Sequence, residues 1–293
     1  MADVPSQGAM AKAAVDDAVP FDGSSVSIEI LSESVRRIDT HLDTNGMRGS
    51  KDMSADRVRL ARSAISGSLS MNPDAAEVDW FIEKILGGTT AVGVTAVADT
   101  LPYWQLMVDR IAKVYTYTDL VVGQATISGS AGDMLTLALD VEGESEVVGS
   151  AGAFAGGALS AGNTYVMSDV TLTLGGTVYP CSQFSLVINN NLDADRYNNS
   201  LSRSAIVSAG RLVTLSANLP FTPDTAALHA MAIGGVAGIL AWTDGSDVYT
   251  FTMPNVKAPS NTPVASGKSE IRWDLAMTAR ETGGVASILC TKT

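Results

Sequence analysis

Proton transfer, nucleophilic attack and metal binding need a small set of side chains held close together. This 293-residue chain is poor in them: 2 histidines, His41 and His229, and 2 cysteines, Cys181 and Cys290. The His-Glu-x-x-His zinc pattern, the Gly-x-Ser-x-Gly nucleophile elbow and the phosphate-cradling loop are all missing. Residues 149–163, GSAGAFAGGALSAGN, are glycine-rich but hold no lysine to meet a phosphate. The cysteines lie in neither a redox nor a metal spacing and read as small buried thiols, their disulfide state left open. Two stretches carry oxygen ligands at spacings that suggest calcium: Asp39, Asp43 and Asn45 before Gly46, and Asp193, Asp195 and Asn198. A calcium loop of the helix-loop-helix kind needs a bidentate glutamate and a helix on each side, which neither stretch supplies. Both read as polar turns, as do the asparagine runs at 189–191 and 197–199. The expectation is no catalytic centre, no resident metal and no cofactor. Function must then lie in surfaces.

Composition agrees. Hydrophobic residues make up 46% and charged residues only 17%, which fits a globular β-rich or assembly protein. The net charge of −12 argues against a surface that grips nucleic acid, since phosphate binding needs clustered Lys and Arg. No apolar run reaches the ~18 residues of a membrane span. The first residues carry an early aspartate and no apolar core, so synthesis in the cytoplasm of the producing cell is expected.

The densest charge lies between Ser32 and Arg59. Arg36, Arg37, Asp39, Asp43, Arg48, Lys51, Asp56 and Arg57 are read together as a long polar loop that contacts another subunit. A strand is expected over 60–71. It runs into a helix with Asn72 as cap, Pro73 at its first position and Asp74 in its first turn. Val78, Phe81, Ile82, Ile85 and Leu86 form one apolar stripe, and Gly87-Gly88 ends it. Further strands are expected at 26–31, 103–108, 111–117 and 134–141. Beyond residue 163 the plan recurs: a hairpin turning at Gly175-Gly176, a strand at 183–189, a polar loop, and a strand at 211–219. Next comes a helix capped by Thr222 with Pro223 first, then strands at 248–253 and 269–279. The two strand–Pro-Asp–helix units, 61–88 and 210–235, read as two copies of one element. The chain therefore divides into a flexible arm (1–24), a first domain (25–148), a linker (149–163) and a second domain (164–293).

Three stretches carry a family resemblance: SAISGSLSMNPDAAEVDWFIEKILGG (63–88), FSLVINNNLDADRYNNS (184–200) and AGRLVTLSANLPFTPDTAAL (209–228). They resemble the tail tube protein of long-tailed, siphovirus-like bacteriophages, of the type with a duplicated tube domain. The resemblance implies a mainly β fold: two similar β-sandwich domains, each with one flanking α-helix, giving strands to a continuous inner β-barrel. It also implies trimeric, pseudo-hexameric rings stacked into a tube in the virion tail. Partners would be a tape-measure protein and tail-tip or terminator proteins, with double-stranded DNA crossing the lumen without specific binding. Four strands from each of six domains give ~24 strands, a wall ~115 Å around and ~37 Å across. The lumen positions are expected to be Ser, Thr, Ala, Asp and Glu, because a basic lumen would hold DNA. The charged loop would be a ring-to-ring contact. Rival readings are a tail adaptor or decoration protein, and a soluble β-sandwich binding module using calcium at Asp39, Asp43 or Asp193.

Overall fold

The computed structural model describes residues 12–293, apart from 44–45, 47–51, 53–56, 92–93, 260–261 and 266–269. The fold is mainly β, with two α-helices among the described residues. In the first half of the chain these are β1 (Lys12–Asp16), β2 (Val26–Ile28), β3 (Ser32–Glu33), β4 (Arg36–Leu42), β5 (Arg59–Met71), α1 (Ala75–Leu86), β6 (Gly87–Ala91), β7 (Val94–Val97), β8 (Trp104–Asp109), β9 (Val114–Ser130), β10 (Thr136–Gly143) and β11 (Ser145–Gly149). The second half holds β12 (Val170–Leu174), β13 (Thr177–Tyr179), β14 (Gln183–Asn189), β15 (Leu192–Arg196), β16 (Ala205–Ser208), β17 (Leu212–Pro220), α2 (Pro223–Gly234), β18 (Val236–Thr243), β19 (Val248–Lys257), β20 (Arg272–Ala279) and β21 (Leu289–Lys292).

All strand pairs between these elements are antiparallel. One sheet runs β2–β1–β8–β9–β11. A second runs β4–β5–β10–β9–β14–β17–β20. The 17 residues of β9 serve both: its first part pairs with β8 and β11, and its second part pairs with β10 and β14. In the second half, β13–β12–β18–β19–β21 and β14–β17–β20–β19 repeat the pairing order of the first, strand for strand. The helix follows β5 in one half and β17 in the other. The two halves meet where β9 pairs with β14 over seven residues and where β21 pairs with β7. Within one chain the sheet does not close into a barrel.

The helix stripe behaves as its spacing requires. Val78, Phe81, Ile82 and Ile85 are buried, and each such side chain contributes about 1.5–3 kcal/mol relative to exposure. They pack beside Ile127, Leu135 and Leu137 of the first half and Tyr165 and Trp242 of the second. Trp80 and Phe81 meet Trp104 edge to face, with ring centres at 5.4 and 5.8 Å. The cap is two residues later than the sequence suggests. Asp74 is the N-cap, its carboxylate accepting the Glu77 N–H at 2.9 Å while Glu77 accepts the Asp74 N–H at 3.1 Å. Asn72 instead donates to the Leu135 carbonyl at 2.7 Å, tying the end of β5 to β10. Gly87, at φ 86°, closes the helix in the left-handed region that favours glycine.

Three expectations need correction. Residues 12–16, taken as part of a flexible arm, form β1; Ala13, Ala14 and Val15 are buried between β2 and β8. Residues 1–11 lie outside the described residues. The polar stretch Ser32–Arg59 is not one long loop, because β3 and β4 pair with β5 through its first part. The linker 149–163 is packed down: the Gly157 N–H donates to the Ser25 carbonyl at 2.9 Å, and Ser27 donates to the Gly157 carbonyl at 2.7 Å.

Candidate functional site

Strand alternation gives the larger sheet two unlike faces. One face is core: Ile65, Leu69, Leu137, Leu139, Ile127, Leu186, Leu215, Leu219, Trp273 and Leu275 are all buried. The other face is exposed or half-buried, and the register lines its residues into rows across both halves. One row reads Thr136, Ser128, Ser185, Ser216, Ala276. The next reads Ser70, Ala138, Thr126, Val187, Thr214, Thr278, and the one beyond it Ser68, Asp140, Gln124, Asn189, Leu212. At the other margin stand Ser130, Gln183, Asn218 and Asp274. Short hydroxyls and amides dominate. From Ser66 on β5 across to β20, the ionisable groups of this face are Asp140, Glu142, Asp274 and Arg272.

Those groups are tied locally. Ser66 donates to Glu142 at 3.1 Å. Asn189 donates to Gln124 at 3.4 Å across the seam between the halves. Asn218 donates to Asp274 at 2.5 Å, and Arg272 donates to Asn218 and, at 2.9 Å, to Glu270. Glu142 is also ion-paired with the buried Arg203 at 2.6 Å, and Arg272 is partly neutralised by Glu270, so Asp140 and Asp274 leave the face weakly acidic. Shallow grooves run along it, one bordered by Ser128, Gln183, Ser185, Ser216 and Asn218 and the other by Ser66, Ser68, Gln124, Asp140 and Asn189. Nothing in either converges on a point as a catalytic or ligand site requires.

The second surface is the β4–β5 hairpin. Arg36, Arg37 and Asp39 lie on β4, Asp43 directly follows it, and Arg57 lies two residues before β5. Arg48, Lys51 and Asp56 lie outside the described residues. Arg37 donates to Asp39 at 2.8 Å, and this bond, with one from Ser63, holds the Asp39 carboxyl below its usual range. Both side chains are largely exposed, so the pair contributes little to stability.

The groups with chemical potential stay apart. His41 is exposed on β4; His229 lies on α2, its side chain outside the described residues. Cys290 is buried, which pushes its thiol up to about 12, and Cys181 is raised by burial as well. Both are free thiols. Asp193 is hydrogen-bonded by Arg196 at 2.7 Å, and Asp195 pairs with Arg62 at 3.3 Å, so the second calcium-like stretch is a salt-linked hairpin, β15–β16. Among the described residues no three His, Cys, Asp or Glu side chains gather as a metal site. Among the described residues no helix is long and apolar enough to cross a membrane.

Fold and surfaces define a β-rich protein built around an extended, hydroxyl-lined sheet face. The match to a known family is specific: residues 8–279 match the family described as phage tail tube protein, and the chain belongs to that family. It is accordingly a structural component of a phage tail. No curated protein matches the chain. Sequence reasoning expected Ser, Thr, Ala, Asp and Glu at lumen positions without saying which strands carry them; the second part of β9, central to the polar face, reads as Gly, Gln and Ser.

Proposed function

We propose that this chain carries two tube domains, that three copies make a pseudo-hexameric ring, and that stacked rings form the conduit for the phage genome. The larger sheet forms the wall of that ring. Its polar face lines the lumen, and its apolar face packs on α1 and the outer strands. The observation that carries the reading is the continuity of the polar face across the β9–β14 seam, together with the matched pairing order on its two sides. A second domain that continues the sheet of the first is how a wall grows by repetition, and closure removes the sheet edges that would otherwise aggregate.

The face suits passage of DNA. A phosphate near Asp140 or Asp274 is repelled, and Ser, Thr, Asn and Gln offer water-like hydrogen bonds without fixed positive charge. Binding by counterion release needs clustered cations, and Arg272 is already occupied by Glu270 and Asn218. The duplex therefore slides without sequence-specific contact. The β4–β5 hairpin, with Arg36, Arg37, Asp39, Asp43, Arg48, Lys51, Asp56 and Arg57, is the candidate contact between successive rings. Tape-measure and tail-tip proteins are the expected partners inside and at the end of the tube.

Electron microscopy of the purified protein, with light scattering on the same sample, tests the assembly. Six-lobed rings of three chains, or tubes of such rings, are expected. A closed ring with any other chain count contradicts the two-domain reading.

A further inference from the structure

The segment that joins β14 to β17 crosses from the second half of the chain onto the first. We infer that it is a strap with a fixed base and a releasable tip. Residues 191–210 open as a unit beside the polar face while both sheets stay folded, and Arg203 is the lock. A single chain carries this device, with or without the ring proposed above.

The base is built in. Asn190 is fully buried. Its side-chain amide donates to the carbonyls of Ile85 and Val122, each at 3.1 Å, and its backbone N–H donates to the Gly123 carbonyl at 2.8 Å. Arg211 donates to the Asn190 side-chain oxygen and to the Leu86 carbonyl, each at 3.0 Å. Ile85 and Leu86 end α1, where helix carbonyls have no partner in a following turn. Two side chains of the second half thus cap the helix of the first, and neither end of the strap leaves without uncapping it.

The tip is held differently. Among the described residues β15 and β16 pair with each other and with no other strand. Between 191 and 210 only Arg203 and Ile206 are buried. Arg203 reaches the last pair of the β5–β10 ladder. Its Nη1 donates to the Ile65 carbonyl at 2.8 Å and the Gly143 carbonyl at 3.1 Å, and it pairs with Glu142 at 2.6 Å. Its Nε is buried with no hydrogen-bond partner among the described residues. A buried guanidinium with an unmet donor holds the closed state less firmly than a fully satisfied one. One backbone bond, from the Ser63 N–H to the Leu201 carbonyl at 2.7 Å, adds to it. The other ties are weak: Arg62 and Asp195 pair at 3.3 Å between exposed side chains, and Tyr103 meets the Ile206 backbone at 3.4 and 3.5 Å.

Closed, the strap sets Leu192 and Ala194 along the groove that runs past Ser66, Gln124, Asp140 and Asn189. Glu142 borders the same groove and is occupied by Arg203. Opening widens that end of the groove and frees Glu142. The strap therefore sets how much of the acidic end of the polar face is uncovered.

Native-state hydrogen exchange of the wild type in low urea is the first test. Hydrogen-bonded amides of 192–208 should exchange at least about tenfold faster than those of β9, β14 and β17. Their rates should not respond to low urea, because a local opening exposes little surface. The Asn190 amide should follow the sheets. Amides of 192–208 that accelerate with urea as steeply as the sheet amides overturn the inference, since the strap then leaves only with global unfolding. Arg203→Met tests the lock. A further acceleration of about tenfold or more is expected, confined to 192–208, with Arg203→Lys, which keeps a charge opposite Glu142, in between. Acceleration spread evenly over the chain, or none at 192–208, overturns the role of Arg203. If Arg203→Met does not fold, the wild-type urea series decides by itself.

Discussion

Glu77 shows how much one buried carboxylate organises. Its two oxygens accept from two backbone N–H groups, Glu29 at 3.0 Å and Asp74 at 3.1 Å, so it fixes the start of α1 against the strand region before β3. Burial raises its pKa above the usual glutamate value, and Asp74 and Glu29 add to that rise, while the two hydrogen bonds act against it. A carboxyl whose folded pKa is raised favours folding in its neutral form. That contribution is complete below the unfolded value and is lost as pH rises through the folded one. Glutamine at this position has one acceptor for two donors, so Glu77→Gln leaves an N–H facing an NH₂ at a cost of about 1–3 kcal/mol. At neutral pH the variant also escapes the burial of a charge, which offsets part of the loss. The gap in urea stability between wild type and Glu77→Gln is therefore expected to widen as pH falls from 7 toward 5. A gap that narrows over the same range contradicts this account of the site.

The elements differ in how openly the sequence announces them. The β5–α1 and β17–α2 units are plain, because alternation, a Pro-Asp start and a glycine stop fall in order at 60–87 and 211–235. The capping residue at α1 is less plain: Asn72, Pro73 and Asp74 all suit a helix start, and only the reciprocal bond with Glu77 selects Asp74. β4 is hidden because it is an edge strand exposed along nearly its whole length, so no buried alternation marks it. The second part of β9 is hidden for the opposite reason. Its inward side includes small residues, Ala125 and Gly129, and its outward side is Gln124, Thr126, Ser128 and Ser130, the residues of a polar surface. The polar face as a whole is invisible without register, since its rows gather residues more than 200 positions apart. The β4–β5 pairing also explains Gly67. A Cβ there would lie 2.5 Å from the Val35 Cα and 2.6 Å from the Ser34 carbonyl oxygen, both backbone atoms that cannot step aside. Gly67→Ala is expected to push β3 and β4 off β5 and cost about 1–3 kcal/mol. Thermal unfolding measures it, and a variant as stable as wild type would mean the two strands are not so closely held.

At the scale of the whole molecule, the sheet face and the pairing order belong to one design. The first half passes its sheet to the second through β9 and β14, and α1 braces the joint through Asp79, Tyr249 and Lys292. A wall extended by the same joint has a polar inside and an apolar outside wherever it is cut. The tail tube family supplies the setting, and on the proposed reading the rows of Ser, Thr, Asn and Gln are the surface along which DNA slides. The most direct test is a helical reconstruction of assembled tubes at side-chain resolution. The account predicts Ser128, Ser185, Ser216, Gln124 and Asn189 facing the lumen, with Asp140 and Asp274 among them. A lumen lined instead by the β2–β1–β8–β9–β11 sheet, or by a ring of lysines and arginines, would contradict it.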